Sequence, residues 1–214
     1  MWAATGDPHT AAEVGRRGMV HTLVLRGPEG TRRAYAAYRQ ARQEAGLPPV
    51  PVDNFAYSAF VSVGDTEEEG RRVGAKLLWF LNTSLKSAPQ YAQFLPGTAP
   101  PQIAGQAWRT RPKAGTDGPG RVATASENAR KLVSTTAEQA MAQGILFAGN
   151  PDSVYAQIKQ FHDDVGGFGH LTMIGRTGFM THAESDKSIR LFGKEVLPRL
   201  KEIGPVAATA VAAQ

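Results

Sequence analysis

The side chains that most often perform catalysis are sparse in this sequence. It contains no cysteine, which excludes thiolate nucleophiles, disulfide bonds and thiolate metal sites. Its five histidines show neither an HExxH motif nor any other close spacing, so no metal site is predicted. Neither a Ser/His/Asp order nor a carboxylate pair stands out, and the catalytic residues stay unknown.

One short segment near the start could serve as a binding loop. Gly6-Asp7-Pro8 is a turn sequence, and Asp7 with Thr10 is typical of a helix N-terminus. The first turn of a helix offers free N–H groups and the positive end of the helix dipole, which suit a phosphate. Two interpretations of these residues stay open: a simple turn with a helix cap, and an anion-binding loop.

The apolar pattern along the chain alternates between strands and helices. Strands are indicated by short runs rich in β-branched and aromatic residues, the best of which is FAYSAFVSV. Helices are indicated by apolar spacings of three and four. The predicted strands are residues 1–5, 20–25, 55–63 and 170–174.

Cap residues predict where several helices begin. Asp65 is predicted to cap the helix after the third strand, with Glu68 three residues later. Asn150 precedes Pro151 at another helix start, and Thr181 pairs with Glu184 at the last one. The last helix is predicted to bury Ile189, Phe192, Val196 and Leu200.

The alternating pattern breaks down in the middle of the chain. Residues 85–145 are rich in proline and glycine, and a loop of this length is usually a lid, a binding loop or a disordered segment. We predict a single domain over residues 1–203 with an insertion at 85–145. The tail, residues 204–214, is predicted to be disordered.

Charge and hydropathy exclude some partners. Lysine and arginine number 24 against 19 acidic residues, a formal net charge of +5. The basic residues alternate with acidic ones and form no stripe, so no nucleic-acid partner is predicted. Apolar runs such as 77–81 have at most five residues, far fewer than the roughly 18 of a membrane span, and residues 1–10 lack the basic residues of a secretory signal. We expect a cytoplasmic protein with no membrane partner.

The order of elements indicates an α/β fold. Four strand–helix units, with the long excursion inside the third, imply parallel strands covered by helices. Such units could form a small open sheet or half of a (β/α)₈ barrel.

The C-terminal region, residues 149–200, resembles that of the luciferase-like monooxygenases, which are flavin-dependent (β/α)₈ barrels. Segments 2–18 and 53–72 are similar to the fifth and seventh strands of that family, each with its following helix. The resemblance covers about residues 1–84 and 145–203. It implies a TIM-barrel-type fold, here a partial barrel of about four βα units, strands five to eight, with a long insertion. The matching motif positions are Gly149, Pro151, Asp152, Gly167, Phe168, Gly169, Phe192, Glu195, Val196, Pro198 and Leu200.

The resemblance also implies a cofactor site at the carboxyl ends of the strands. The cofactor would be FMN or, alternatively, the deazaflavin F420. Thr10 would donate its hydroxyl to a phosphate oxygen, and Gly6 would let the backbone approach. The family tends to place a serine or another neutral residue where this chain has Asp7. The expected cofactor-binding residues are Ala4, Thr5, Gly6, Asp7 and Thr10.

Other residues receive roles from the same resemblance. The variable insertion of the family covers the substrate, which implies substrate contacts from Tyr91, Phe94, Trp108 and Arg109. His21, at a strand start on the end opposite the cofactor, and His162, off the apolar face of its helix, are expected to be structural and solvated, respectively.

The implied function is that of a bacterial-type flavoprotein oxidoreductase. Reduced flavin and O₂ would act on an organic small-molecule substrate, as in a monooxygenase. Two alternatives stay open: an F420-dependent oxidoreductase of the same superfamily, or a truncated, non-catalytic flavin-binding or assembly fragment. The open strand edges of a half barrel are expected to pair with a missing half barrel or with a second copy, giving a homo-oligomer.

Overall fold

The computed structural model describes residues 1–81 and 135–203. Within these ranges, one parallel sheet contains five strands: β1 (Trp2–Ala4), β2 (Val20–Val24), β3 (Phe55–Val63), β4 (Leu146–Gly149) and β5 (His170–Ile174). Predictions for residues 82–134 and 204–214, which include most of the insertion and the tail, lie outside the described residues.

Helices follow the strands along the described part of the chain. They are α1 (Pro8–Arg16), α2 (Pro28–Glu44), α3 (Glu67–Leu77), α4 (Ala137–Ala142), α5 (Pro151–Asp164), α6 (His182–Leu191) and α7 (Leu197–Lys201). A 3-10 turn, Val52–Asn54, precedes β3, and a π-helical stretch, Phe192–Val196, joins α6 to α7. None of the described helices combines the length and the apolar character needed to cross a membrane.

β3 organises the sheet because two other strands share one of its edges. Leu25 donates its N–H to the carbonyl of Ser58 at 2.9 Å, and Phe60 donates to the carbonyl of Ile145 at 3.0 Å. Residues 58 and 60 point to the same edge, so β2 and β4 lie end to end along it. β5 pairs with the other edge of β3. Since every pairing is parallel, the strands end at the same side of the sheet.

The main core lies on one face of the sheet. Alternate residues of β3 point to this face and pack with apolar residues of α1, α2 and α5. Tyr35 and Tyr38 of α2 are fully buried here, and the Tyr35 hydroxyl donates to the carbonyl of Ala56 at 2.9 Å. Burial of each large side chain contributes roughly 1.5–3 kcal/mol. The β3 residues of this core are Phe55, Tyr57, Ala59, Val61 and Val63.

The α/β class and the parallel sheet are confirmed, as are the four predicted strands. β3 and β5 have the predicted bounds. The sequence does not predict β4, because its four residues, LFAG, are too few to show a period and follow the region assigned to the insertion.

The predicted caps at Asn150 and Thr181 are confirmed. The predicted cap at Asp65 is wrong: Thr66 caps α3, accepting the N–H of Glu69 at 3.2 Å. The helix begins one residue later than predicted, and Asp65 instead donates its backbone N–H to the Glu69 carboxylate at 2.9 Å.

The predicted buried face of the last helix is wrong at one position. Ile189 is 51% exposed, whereas Phe192 and Val196 are buried. The π-helical stretch changes the angular spacing of successive residues, so positions that share a face in a regular α-helix diverge here. Pro198 lies two residues after this stretch, and because it has no backbone N–H, a regular helix would lose a hydrogen bond there.

Candidate functional site

Two loops lie at the carboxyl ends of β1 and β2. Residues 5–7 connect β1 to α1, and residues 25–27 connect β2 to α2. The two strands pair in parallel, from Trp2 opposite Val20 to Ala4 opposite Thr22, so both loops lie at the same end of the sheet. Parallel α/β sheets characteristically bind ligands at this end, beyond the carboxyl ends of the strands.

Asp7 caps α1. Its carboxylate accepts hydrogen bonds from the backbone N–H and from the hydroxyl of Thr10, both at 2.8 Å. The backbone bond and then the hydroxyl bond from Thr10 hold the pKa of Asp7 below its usual value, so this carboxylate is charged at neutral pH. The Thr10 hydroxyl, expected to donate to a phosphate, donates to Asp7 instead.

Thr5 is the first residue beyond the β1 strand. Its N–H donates to the carbonyl of Thr22 at 3.3 Å, and its hydroxyl accepts the N–H of Asp7 at 3.3 Å. Its carbonyl oxygen lies 2.9 Å from Nε2 of His21. A carbonyl can only accept, so the proton of His21 lies on Nε2. Three hydrogen bonds thus hold Thr5.

His21 is fully buried against α2. Its ring lies parallel to that of Tyr38 and edge-on to that of Tyr35, at centroid distances of 6.1 and 5.7 Å. Burial lowers the pKa of His21 below its usual value, and the ring is therefore neutral at pH 7. Its Nδ1 has no hydrogen-bond partner. His21 is buried, as expected of a structural residue, but its ring also contacts the candidate loop.

Arg26 brings a positive charge to this loop. It is half-buried, and its guanidinium lies so close to two glycines that side chains there would collide with it. A Cβ at Gly6 would lie 2.7 Å from Nη1, and a Cβ at Gly30 would lie 2.6 Å from Nε. Within residues 1–81 and 135–203, no acceptor binds this guanidinium. The next residue, Gly27, is the N-cap of α2 and provides no side-chain hydrogen bond to the helix.

The two alanines of β1 face opposite sides of the sheet. Ala3 packs against the core, whereas Ala4 is exposed on the other face. Thr22, the partner of Ala4 in the sheet, has a buried hydroxyl oxygen without a hydrogen-bond partner. Thr22 is therefore a candidate binding group. The sequence does not single it out, because its neighbours are set by strand register.

The remaining candidate residues do not join this cluster. His162 is not solvated as expected: it is 6% exposed, because Phe168 packs edge-on against its ring at 5.1 Å. In the part of the chain that the structure describes, no three His, Asp or Glu side chains converge as a metal site. The predicted substrate residues Tyr91, Phe94, Trp108 and Arg109 lie outside the described residues.

A second group of charges joins α3 to α6. Glu184 binds Lys76 at 2.6 Å and accepts the backbone N–H of Thr181 at 2.9 Å. The Lys76 hydrogen bond is the largest influence that lowers the pKa of Glu184 to about 2. Lys187 binds the Glu69 carboxylate at 2.7 Å. These contacts join the two helices that follow β3 and β5.

Comparison with known proteins relates this chain to a described family. A family model described as luciferase-like monooxygenase matches residues 1–166. No curated protein sequence matches the chain.

Several solved structures share the fold. The FMN complex of the oxygenating constituent of 3,6-diketocamphane monooxygenase, from the CAM plasmid of Pseudomonas putida, is 20% identical with a TM-score of 0.60; the match covers 92% of this chain and 48% of that one. Monooxygenase RslO1 from Streptomyces bottropensis is 21% identical, with a TM-score of 0.56 and coverage of 93% and 47%. The coenzyme F420-dependent tetrahydromethanopterin reductase from Methanopyrus kandleri is 17% identical, with a TM-score of 0.53 and coverage of 92% and 50%.

These likenesses show the fold, and this chain spans about half the length of each of the three proteins. The family follows from the family model, which matches well over half of the residues. This chain belongs to the luciferase-like monooxygenase family.

Proposed function

We propose that this chain carries the cofactor loop of a flavin-dependent monooxygenase, an oxidoreductase that uses reduced FMN and O₂ on an organic substrate. Family membership supports the reaction class. The loops at the carboxyl ends of β1 and β2 support the location. The observation that carries the proposal is the half-buried Arg26 guanidinium, which lies against Gly6 without an acceptor in the described parts of the chain.

The loop residues fit a flavin phosphate, with one exception. Gly6 leaves its backbone accessible, and Arg26 supplies a planar cation that can bind phosphate oxygens in pairs. Asp7 is the exception, because a charged carboxylate repels a phosphate. The phosphate therefore lies on the Gly6 and Arg26 side of the loop, while Asp7 and Thr10 keep their capping bonds.

The other loop residues shape the space beside the phosphate. Ala4 is small and exposed, which leaves room for the flavin ring, and the unpaired hydroxyl of Thr22 can bind a polar atom of that ring. Thr5 holds the turn in place through its hydrogen bonds. Bound reduced flavin supplies the reaction with O₂, and the protein orients the ring and excludes water. Substrate contacts from Tyr91, Phe94, Trp108 and Arg109 stay a prediction.

We propose that β1, β2, β3 and β5 are strands five to eight of a partial (β/α)₈ barrel, which forms one domain over residues 1–203 with the insertion at 85–145. Two facts support it: the chain spans about half of the similar structures, and in the described ranges β1 and β5 each pair along one edge only. The free edges would pair with a missing half barrel or with a second copy of this chain. A chain that cannot complete a barrel would be a flavin-binding fragment without catalysis.

F420 is the alternative cofactor, since one of the similar structures described above is an F420-dependent reductase. The phosphate of F420 is a diester with one negative charge, whereas the terminal phosphate of FMN carries up to two. Asp7 therefore repels the F420 phosphate less strongly.

Titration of the chain with FMN and, separately, with F420 tests this proposal. Saturable quenching of FMN fluorescence is the expected result, followed by substrate-dependent O₂ uptake when reduced flavin is supplied. Binding of F420 alone would favour the reductase alternative. Binding of neither cofactor would contradict the proposed function.

A further inference from the structure

The side chain of His21 makes its only hydrogen bond within the described residues to the candidate cofactor loop. Its Nε2 lies 2.9 Å from the carbonyl oxygen of Thr5. The last hydrogen bond between these two chain segments runs from the Thr5 N–H to the Thr22 carbonyl. The sheet therefore binds the N–H of Thr5 but not its carbonyl. Among the residues that the structure describes, His21 is the sole donor to that carbonyl, which begins the peptide bond to Gly6.

The burial of His21 has an energetic cost. Its Nδ1 is buried without a donor, and an unpaired buried acceptor destabilises the folded state. The aromatic contacts with Tyr35 and Tyr38 do not require a histidine, since an apolar ring would pack there without an unpaired nitrogen. What a histidine adds at this position is the Nε2–H that reaches Thr5.

We propose that His21 is a positioning residue for the cofactor loop: its Nε2–H orients the Thr5–Gly6 peptide so that Gly6 stays against Arg26, where the flavin phosphate binds. This inference rests on the proposed function for its cofactor, and on the geometry of His21, Thr5 and Gly6 for the positioning itself. The histidine contacts neither flavin nor substrate, and it acts only through the backbone.

The expected consequences separate positioning from packing. His21→Leu keeps an apolar volume but removes the donor, so the peptide containing residues 5–10 should exchange its amide hydrogens faster. His21→Gln places an amide N–H near the position of Nε2 and should restore protection. Tyr38→Phe, the matched control, removes the hydroxyl that donates to the Met19 carbonyl and accepts from Asn54, without changing the His21–Thr5 pair. It should lower thermal stability without changing exchange in residues 5–10.

Hydrogen-exchange mass spectrometry and FMN titration, on the same four proteins, test the inference. We expect FMN affinity to fall about tenfold in His21→Leu, to stay within about threefold of wild type in His21→Gln, and to be unchanged in Tyr38→Phe. Unchanged exchange of residues 5–10 in His21→Leu, or equal loss of FMN affinity in His21→Leu and Tyr38→Phe, would overturn the inference alone. Absence of FMN binding in the wild-type chain would overturn the proposed function together with the cofactor part of the inference.

Should His21→Leu not fold, the wild-type chain still tests the inference through the tautomer of the His21 ring. Nitrogen-15 spectra of the wild-type ring should show the proton on Nε2 and a bare Nδ1 at neutral pH. A proton on Nδ1 would overturn the inference, because Nε2 could then not donate to Thr5.

Discussion

Asp7 and Arg26 carry opposite charges next to the same glycine, yet no ion pair joins them in the structure. Asp7 directs its carboxylate to Thr10, whereas the Arg26 guanidinium lies against Gly6. Asp7 is thus bound within the chain, and Arg26 has no acceptor among the described residues. This arrangement is what the proposed phosphate site requires of a loop that contains an acidic residue.

Replacement of Asp7 should reveal its repulsion of phosphate. Asp7→Ser keeps a good helix cap but removes the negative charge. We expect FMN to bind about fivefold more tightly to Asp7→Ser, because the repulsion between two neighbouring unit charges in water is worth about 1 kcal/mol. Riboflavin, which lacks the phosphate, is the matched control ligand and should bind both proteins equally. An equal gain for both flavins would show that Asp7 does not act through charge.

Stability should fall at mildly acidic pH because of His21. Burial lowers its pKa in the folded protein, so between the folded pKa and the ordinary value of 6.5 the unfolded chain binds more protons. The contribution of His21 is complete above pH 6.5 and is lost as the pH falls below it. One proton changes stability by at most about 1.4 kcal/mol per pH unit.

Urea unfolding at pH 7.5 and 5.5 measures this effect. The wild-type chain should lose more stability between the two values than His21→Gln, which cannot titrate there. Glu184, with a folded pKa of about 2, and Asp7 titrate below this window and contribute equally to both proteins. The same loss in both proteins would contradict the assignment to His21.

Glu184 should contribute more as a cap than as an ion-pair partner. Glu184→Gln removes the charge that binds Lys76 but can still accept the Thr181 N–H, so we expect a loss of at most about 1 kcal/mol at pH 7. Glu184→Ala removes both contacts and should cost about 1–2 kcal/mol. Since the folded pKa is lowered, the wild-type advantage over Glu184→Gln should disappear as the pH falls from about 4.5 towards 2. A constant difference down to pH 2 would contradict this account.

The close approach of α3 to β4 depends on Gly70. A Cβ at this position would overlap the carbonyl of Gly149, which also accepts the N–H of Gly64. Gly70→Ala should therefore destabilise the protein by about 1–3 kcal/mol or more. Gly193→Ala is the matched control, because its added methyl group meets nothing within 4 Å and should not lower stability. Thermal unfolding of both variants measures the difference, and equal midpoints would contradict the packing described here.

Local sequence signals predicted much of this fold. The FAYSAFVSV run marks β3 with its observed bounds, and the caps at Asn150 and Thr181 depend only on residues within one helical turn. β4 is missed because four residues show no period. The exposure of Ile189 is not predicted, because it depends on the π-helical stretch that follows, which in turn depends on tertiary packing and on the proline beyond it.

The candidate site was predictable only in part, for a similar reason. Gly6, Asp7 and Thr10 are close in sequence, and their turn and cap are visible there. His21 meets Thr5, and Arg26 meets Gly6, only once β1 and β2 pair in their observed register. The unpaired hydroxyl of Thr22 likewise exists only in the folded sheet.

The central claim is that the Arg26 guanidinium beside Gly6 binds the phosphate of a flavin. Its most direct test is the FMN affinity of Arg26→Ala compared with Arg190→Ala, which removes an equal charge from a site 78% exposed and paired with Asp186. We predict that Arg26→Ala weakens FMN binding by about tenfold or more but leaves riboflavin binding unchanged, and that Arg190→Ala changes neither. Equal FMN affinity in the two variants would contradict the account.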